Sequence, residues 1–448
     1  MNTPRKAVRP KAHATPRLNT LYRLVGSIYT RGLYHVFYEV FPFDLRDTAK
    51  RYVGHLTSED LLQWKDESIA VYPTRIEDAD GVREGSVCLD QDGDMMLFYV
   101  GQHFLKTPSD NLNVPSDPTA VECSIMMIRS RRFESRDVFD NIADKSVIFS
   151  TEQLDRAGLD SYTIHDPEVY VDAKRRYLTF LASGRQGENI MVFTKEEQGS
   201  FHIMKILPLE GSKRLNTLRF FSLDERVFAL IETAGEQGSE TAIVPAHVNL
   251  EKGTLKLDSA RARAIDRGLD SSAPKLAWDT RHLPNLISSL QMHHDIKGIR
   301  GMVSTPKRIA LDEAGLPVLS LHPLLARRLI YPEAEVKIKQ THYPQLLTAT
   351  LEEGSFIAIG NTDIYFHEGH LFANRKKSMP AGDDRLPVAS IEVAKEAAEV
   401  QILIDQDCLE IFAAGQAISF IIVDSSPLIR TNEGVKNLCI YTLNRFKS

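Results

Sequence analysis

One pattern runs through the chain from end to end: short stretches in which apolar and polar residues alternate, each closed by turn residues. Alternation at period two is what a strand with one buried face requires, because successive side chains point to opposite faces of a sheet. It is clear in His35–Phe41, Asp94–Val100, Tyr177–Ala182, Arg226–Glu232 and Ala242–Leu250. It returns in Ile309–Leu321, Glu335–Thr341, Ser355–Gly360, Asp363–Asn374, Gln401–Phe412 and Ala417–Val423. The pairs Asp80–Gly81, Asp92–Gly93, Ala414–Gly415 and Glu433–Gly434 read as hairpin turns rather than helix ends. Helical periodicity is confined to Pro323–Ile330, which sets the expected domain junction near residue 325. An all-β chain of 448 residues has many sheet edges to hide, and a propeller, a barrel or a double-sheet sandwich hides them. No strict repeat of about 40 to 50 residues is visible, so the blades of a propeller would have diverged.

Composition narrows the function more than the fold. A hydrophobic fraction of 43% and a charged fraction of 25% exclude a disordered chain or a coiled coil. No run reaches the ~20 apolar residues of a membrane span, and the basic, Pro-rich N-terminus lacks the apolar core of a secretory signal, so a cytoplasmic protein is expected. Cys88, Cys123, Cys408 and Cys439 are far apart and read as free, buried thiols rather than disulfides or zinc ligands. A formal charge of −6 with scattered Lys and Arg leaves no footprint for nucleic acid. Neither a phosphate-binding loop nor a dinucleotide fingerprint occurs, so no cofactor is expected. The neighbours His293 and His294 would point to opposite faces of a strand, so no metal site is expected either.

Several segments together resemble glycoside hydrolase family 32, the β-fructofuranosidases: invertases, sucrose-6-phosphate hydrolases and fructan hydrolases. Arg9–Tyr29 is similar, without a gap, to the family's opening segment, and His35–Pro42, Gly54–Trp64, Ala70–Pro73 and Arg83–Val87 follow in the family's order. His165–Tyr170 resembles the Arg-Asp-Pro region, Leu269–Lys275 the Asp-Phe-Tyr-Ala-Pro-Gln segment, and Arg300–Leu311 and Val400–Phe412 two later motifs. The resemblance implies a five-bladed β-propeller followed by a C-terminal β-sandwich. The expected division is a propeller over 1–322, a helical linker over 323–332 and a sandwich over 333–448.

It also implies a retaining mechanism, with a carboxylate nucleophile and a second carboxylate as acid/base about 5 Å away. Here the similarity breaks. The family's Asn-Asp-Pro-Asn-Gly falls on Tyr22–Gly26, which puts Arg23 in place of the nucleophile. A guanidinium carries no nucleophilic lone pair at any accessible pH. The family's Glu-Cys-Pro-Asp falls on Asn216–Arg219, which puts an amide in place of the proton donor and forfeits about 10²–10⁴-fold of rate. Glu122–Cys123 spells the same pair but precedes the Asp-Pro motif, which the family's Glu-Cys follows. The third carboxylate, a transition-state stabiliser, survives as Asp166, with His165 for the family's Arg. Glu39 replaces a Gln, Val53 a Trp, and Arg83–Glu84 a Phe-Ser pair.

The expected ligand-binding set is therefore Arg23, Glu39, Glu84, His165, Asp166, Asn216 and Arg219, with Asp166 the one retained catalytic position. Across Arg23, His165, Asp166, Asn216 and Arg219 the family's net −3 becomes +1 with His neutral, which favours a small anion over a neutral sugar. Three readings stand: binding of a fructoside, sugar phosphate or other small anion without cleavage; a closed, structural site in which Arg23 pairs with Asp166; and hydrolase or transferase activity through relocated carboxylates such as Glu39 or Glu84. The expected partner is a small carbohydrate or sugar phosphate, not nucleic acid or membrane, with a homo-oligomer or an active homologue as further partners.

Overall fold

Five antiparallel blades follow one another along the first two thirds of the chain, each opening on a strand that lines a common axis, and the fourth continues into a later sheet through a parallel bridge between Asp266 and Ala417. The computed structural model describes residues 10–443 apart from 17–19, 135, 173–174, 211–213, 236–237, 269, 280, 282, 297–298, 328, 333–343, 381, 384 and 424–427. The five axial strands are Leu21–Thr30, Val82–Leu89, Tyr162–Asp172, Leu215–Leu223 and Ser271–Trp278. Behind each lie its hairpin partners, for example Leu33–Val40, Tyr52–Ser58 and Lys65–Asp66 in the first blade. Blade packs on blade through apolar clusters, such as Val25, Phe37, Val53, Leu97 and Tyr99 between the first and second. The ring is closed across the termini: Val303 N–H of the fifth blade donates to Ala14 O at 2.9 Å.

A short helix, Pro323–Arg327, follows the last propeller strand, Pro317–Leu321. The helical stretch expected over 323–330 thus stops at Arg327, and Leu329–Pro332 is a strand that pairs with Val435–Leu443. Two sheets then face each other over a core that includes Leu347, Ile357, Phe366, Ile402, Ile411 and Phe420. The chain is a β-propeller followed by a β-sandwich. The two are joined by buried ion pairs as well as apolar contact: Lys307 Nζ meets Glu410 at 2.6 Å with both side chains fully buried, and Arg375 meets Asp270.

Three expectations need correction. Ile309–Leu321, Asp363–Asn374 and Gln401–Phe412 are each a hairpin rather than one strand. The last turns at Gln406, whose positive φ of 58° lets a two-residue turn form without glycine. Asp80–Gly81 follows a single turn of 3₁₀ helix, and Glu433–Gly434 links strands of different sheets, so neither closes a hairpin. A second helix, Thr151–Arg156, is capped at Ser150, whose hydroxyl accepts from Gln153 N–H while Gln153 reaches back. All four cysteines are free, but Cys123 and Cys439 are only half-buried. The expected strand Glu335–Thr341 and the side chains of His293–Asp295 lie outside the described residues.

Candidate functional site

Each axial strand carries a β-bulge near its N-terminal end: between Leu21 and Gly26, Arg83 and Gly85, His165 and Glu168, Leu215 and Thr217, and Ser272 and Lys275. Bulges break the ladder and re-aim the backbone. Here Glu84, Asp166 and Ala273 take left-handed φ of 43°, 49° and 49°, a conformation that costs a side-chain-bearing residue about 1–3 kcal/mol. Their N–H groups turn sideways toward the preceding blade. Gly85 has no room for a Cβ, which would lie 2.2 Å from Phe98 O.

What meets those N–H groups is a chain of carboxylates, one from each of the first four blades. Glu39 of the first blade accepts from Glu84 N–H at 2.7 Å. Glu84 accepts from Asp166 N–H at 3.0 Å, and Asp166 from Leu218 N–H at 3.0 Å. Glu232 of the fourth blade accepts from Ala273 N–H at 2.8 Å. Between the fifth blade and the first, an amide takes over: Gln291 Nε2 donates to Tyr22 O at 3.0 Å.

Arg23 stands inside this ring and bonds Glu232 at 2.9 Å. The expected pairing with Asp166 is therefore wrong, because Asp166 is already engaged by Leu218 N–H and by Lys275 Nζ at 3.6 Å. Burial works against the Arg23 charge, but Glu232, Glu84 and Glu39 together raise its pKa above the ordinary value. Burial likewise opposes the Glu84 charge, yet Arg23, His165, Arg83 and the Asp166 N–H hold its pKa at about 2. His165 is pushed down to about 4, chiefly by burial, so it is neutral; Nε2 bonds Ser183 Oγ at 2.8 Å, and Nδ1, with no hydrogen-bond partner among the described residues, lies 3.9 Å from Glu84. Burial raises the Asp166 pKa, with Lys275 opposing.

Two arginines stand beside Arg23 with no ion pair among the described residues. Arg83 is half-buried with an unpartnered Nε, and Arg214 is exposed. The Arg214 pKa is lowered by partial desolvation at the rim and, against the pull of Glu84, by the charges of Arg83 and Arg23. Arg23 Nε is also buried without a partner. Asn216 is half-buried on the adjoining strand.

Two expected members do not belong to this opening. Glu39 is fully buried between Arg51, at 2.7 Å, and Glu84 N–H, so it braces the ring rather than faces a ligand. Arg219 sits farther down the axis in an ion pair with Glu168, beneath Lys275, which bridges Gly85 O at 2.8 Å and Glu168 at 3.3 Å. Glu168 cancels the charge that made Arg219 count toward an anion site. Glu232, Arg214 and Lys275 were not singled out, and Arg83 was read as a replaced position without being placed in the binding set, although a Glu inside the apolar strand Arg226–Gly235 is a visible signal. Among the described residues no cluster of His, Cys, Asp and Glu is arranged to hold a metal ion.

The family model of the glycosyl hydrolases family 32 N-terminal domain matches residues 13–323. The chain belongs to glycoside hydrolase family 32. A probable sucrose-6-phosphate hydrolase of Psychromonas ingrahamii is 39% identical over 93 residues, 21% of this chain and 17% of that protein. The matched stretch is thus a small part of that relative's length. Among solved structures, sucrose-6-phosphate hydrolase from Lactobacillus gasseri superposes with a TM-score of 0.80 over 98% of this chain and 93% of its own, at 15% identity. A mutant β-fructofuranosidase of Bombyx mori in complex with sucrose gives 0.75 over 98% and 94%, at 16% identity. At such identities the superpositions establish the fold.

Proposed function

We propose that this family 32 protein binds an anionic carbohydrate, a sugar phosphate, at the bulged end of the propeller axis and does not cleave it. The observation that carries the reading is the group of three guanidiniums, Arg23, Arg83 and Arg214, which among the described residues leave two buried Nε donors unpartnered and make one ion pair, Arg23–Glu232. Guanidinium groups match phosphate oxygens in pairs. The sucrose-6-phosphate hydrolases among its relatives support the choice of a phosphorylated sugar over other anions. With Arg23 at the nucleophile position and Asn216 at that of the acid/base, no group there can form the glycosyl ester or protonate a leaving oxygen. Glu84 and Glu232 are poor substitutes: each is fixed by a neighbouring blade's N–H and held ionised or paired by Arg23. A cytoplasmic setting beside an active homologue is where such a binder would serve. Among the described residues no helix is long and apolar enough to cross a membrane.

A closed structural site is the second reading, favoured by the Arg23–Glu232 pair, whose side chains are 14% and 0% exposed. Calorimetric titration with sucrose 6-phosphate, fructose 6-phosphate and sucrose separates the two. Saturable binding of a phosphorylated sugar, weakened at least tenfold in Arg214→Ala, supports the anion site. Heat with none of them leaves the closed site. Turnover of sucrose or sucrose 6-phosphate within about a hundredfold of common enzyme rates of ~10 s⁻¹ overturns both.

A further inference from the structure

Beneath the Lys275 bridge the axial channel widens again into a cavity of about 750 Å³, at the opposite end of the propeller from the arginines. All five axial strands contribute to its wall, through Ser27, Cys88, Tyr170, Arg219 and Trp278 among others. We propose that this lower cavity is a second ligand site, for a neutral polyhydroxylated molecule of mono- to disaccharide size.

Size comes first: small-molecule sites commonly occupy about 300–1,000 Å³. The polar inventory comes next. Among the described residues, three that line it carry a buried polar atom with no hydrogen-bond partner: Ser27 Oγ, Tyr170 Oη and Arg219 Nε. Buried donors without partners are rare in folded proteins and call for an explanation. All three are donors, and two are hydroxyls that also accept, which suits the mixed lone pairs and O–H groups of a polyol. Charge then selects against a phosphate. The one guanidinium in the wall is neutralised by Glu168, and the other lining carboxylate, Glu251, pairs with Arg175. The rest of the wall mixes apolar side chains such as Ile28, Val87 and Leu276 with Ser222 and Asn249, and it carries the half-buried indole of Trp278. Sugar C–H faces pack against such surfaces while their hydroxyls reach the polar edge.

The site is separate from the arginine group. Trp278 lies five residues beyond Ala273 on one strand, roughly 16 Å along the axis, and Lys275 stands between. Because the chain has only two tryptophans, a Trp64→Phe variant leaves Trp278 as the sole indole reporter. That variant is titrated with sucrose, fructose and glucose to 100 mM, with and without saturating fructose 6-phosphate, and calorimetry of the unmodified protein provides a second readout. At least one neutral sugar is expected to give a saturable change in Trp278 emission that fructose 6-phosphate does not displace. Adding Tyr170→Phe and Ser27→Ala, which remove two hydroxyls and little volume, should weaken binding by roughly three- to tenfold each. The proposal is overturned by no saturable response to any of the three sugars in either readout. It is equally overturned by an unchanged constant in the Tyr170→Phe, Ser27→Ala protein, or by competition from fructose 6-phosphate.

Discussion

Replacing Glu232 by Gln should tighten anion binding while weakening the fold. The amide has the volume of the carboxylate, and its oxygen can continue to accept from Ala273 N–H, now at 2.8 Å. Its other half becomes a donor facing Arg23, so the 2.9 Å ion pair is lost. A hydrogen bond to a charged group contributes about 1.5–3 kcal/mol. Arg23 is not fully enclosed and can turn toward solvent, so the lower end, about 2 kcal/mol, is the expected destabilisation. For a propeller unfolding as a unit of some 310 residues, the residues 13–323 of the family match, this lowers Tm by ~3 °C. The same 2 kcal/mol is what a phosphate must overcome in the native protein to draw Arg23 away from Glu232. Removing that competitor should tighten binding of fructose 6-phosphate by roughly tenfold to a hundredfold. Calorimetric titration of both proteins, with thermal unfolding in parallel, reads the two effects. A lower Tm with unchanged or weaker phosphate binding would refute the reasoning, because Arg23 would then serve the fold alone.

The double change Arg23→Asp with Asn216→Glu restores the family's residues in name, yet it should remain without sucrose hydrolysis, since the new Asp would face Glu232 and Glu84; measurable turnover in a reducing-sugar assay contradicts this. Asp405→Ala should destabilise by ~3–5 kcal/mol, because its carboxylate accepts from Lys11, Ala12 and His13 N–H at 2.7 to 3.1 Å and from His13 Nδ1 at 2.9 Å. The N-terminal segment should then exchange its amide protons freely, and full protection of residues 11–13 would count against that staple. Stability should also fall as pH drops below about 6.5. Burial lowers His55 to about 3 and His165 and His322 to about 4, so the unfolded chain binds their protons first. Each contributes a slope of up to ~1.4 kcal/mol per pH unit. His13, held above its ordinary value despite burial by Cys408, Glu410 and Asp405, acts in the opposite sense, fully contributing below ~6.5 and fading as pH rises. Urea midpoints between pH 4.5 and 7.5 should rise with pH, and a flat profile would mean that the three histidines open to solvent.

The architecture was legible because period-two patterning reports directly on which face of a strand is buried. The merged hairpins show the limit of that signal: Gln406 and Glu368 turn the chain with positive φ inside the polar steps Asp405–Asp407 and His367–His370, which are short enough to pass for the polar positions of one alternating run. The helix Thr151–Arg156 had its own mark, a Ser and Gln three apart, but one turn and a half is too short for periodicity. At the site, motif alignment could not name the partner of Arg23, which is 209 residues away on the fourth blade. The charge count failed for a related reason. Arg219 was counted without Glu168, and residues of one strand were assumed to share one opening, whereas Asn216 and Arg219 lie at different depths of the axis.

The blade-to-blade carboxylates bear on how a glycosidase scaffold can lose its chemistry. Position 23 reaches the fourth blade through the side-chain pair Arg23–Glu232 and takes no part in the chain of carboxylates that accept backbone N–H groups. Position 166 is different: its carboxylate locks the third blade to the fourth through Leu218 N–H. The survival of Asp166 is thus accounted for by joinery alone. The ring carboxylates mark where the wheel is pinned together, and their presence alone is no testimony about catalysis.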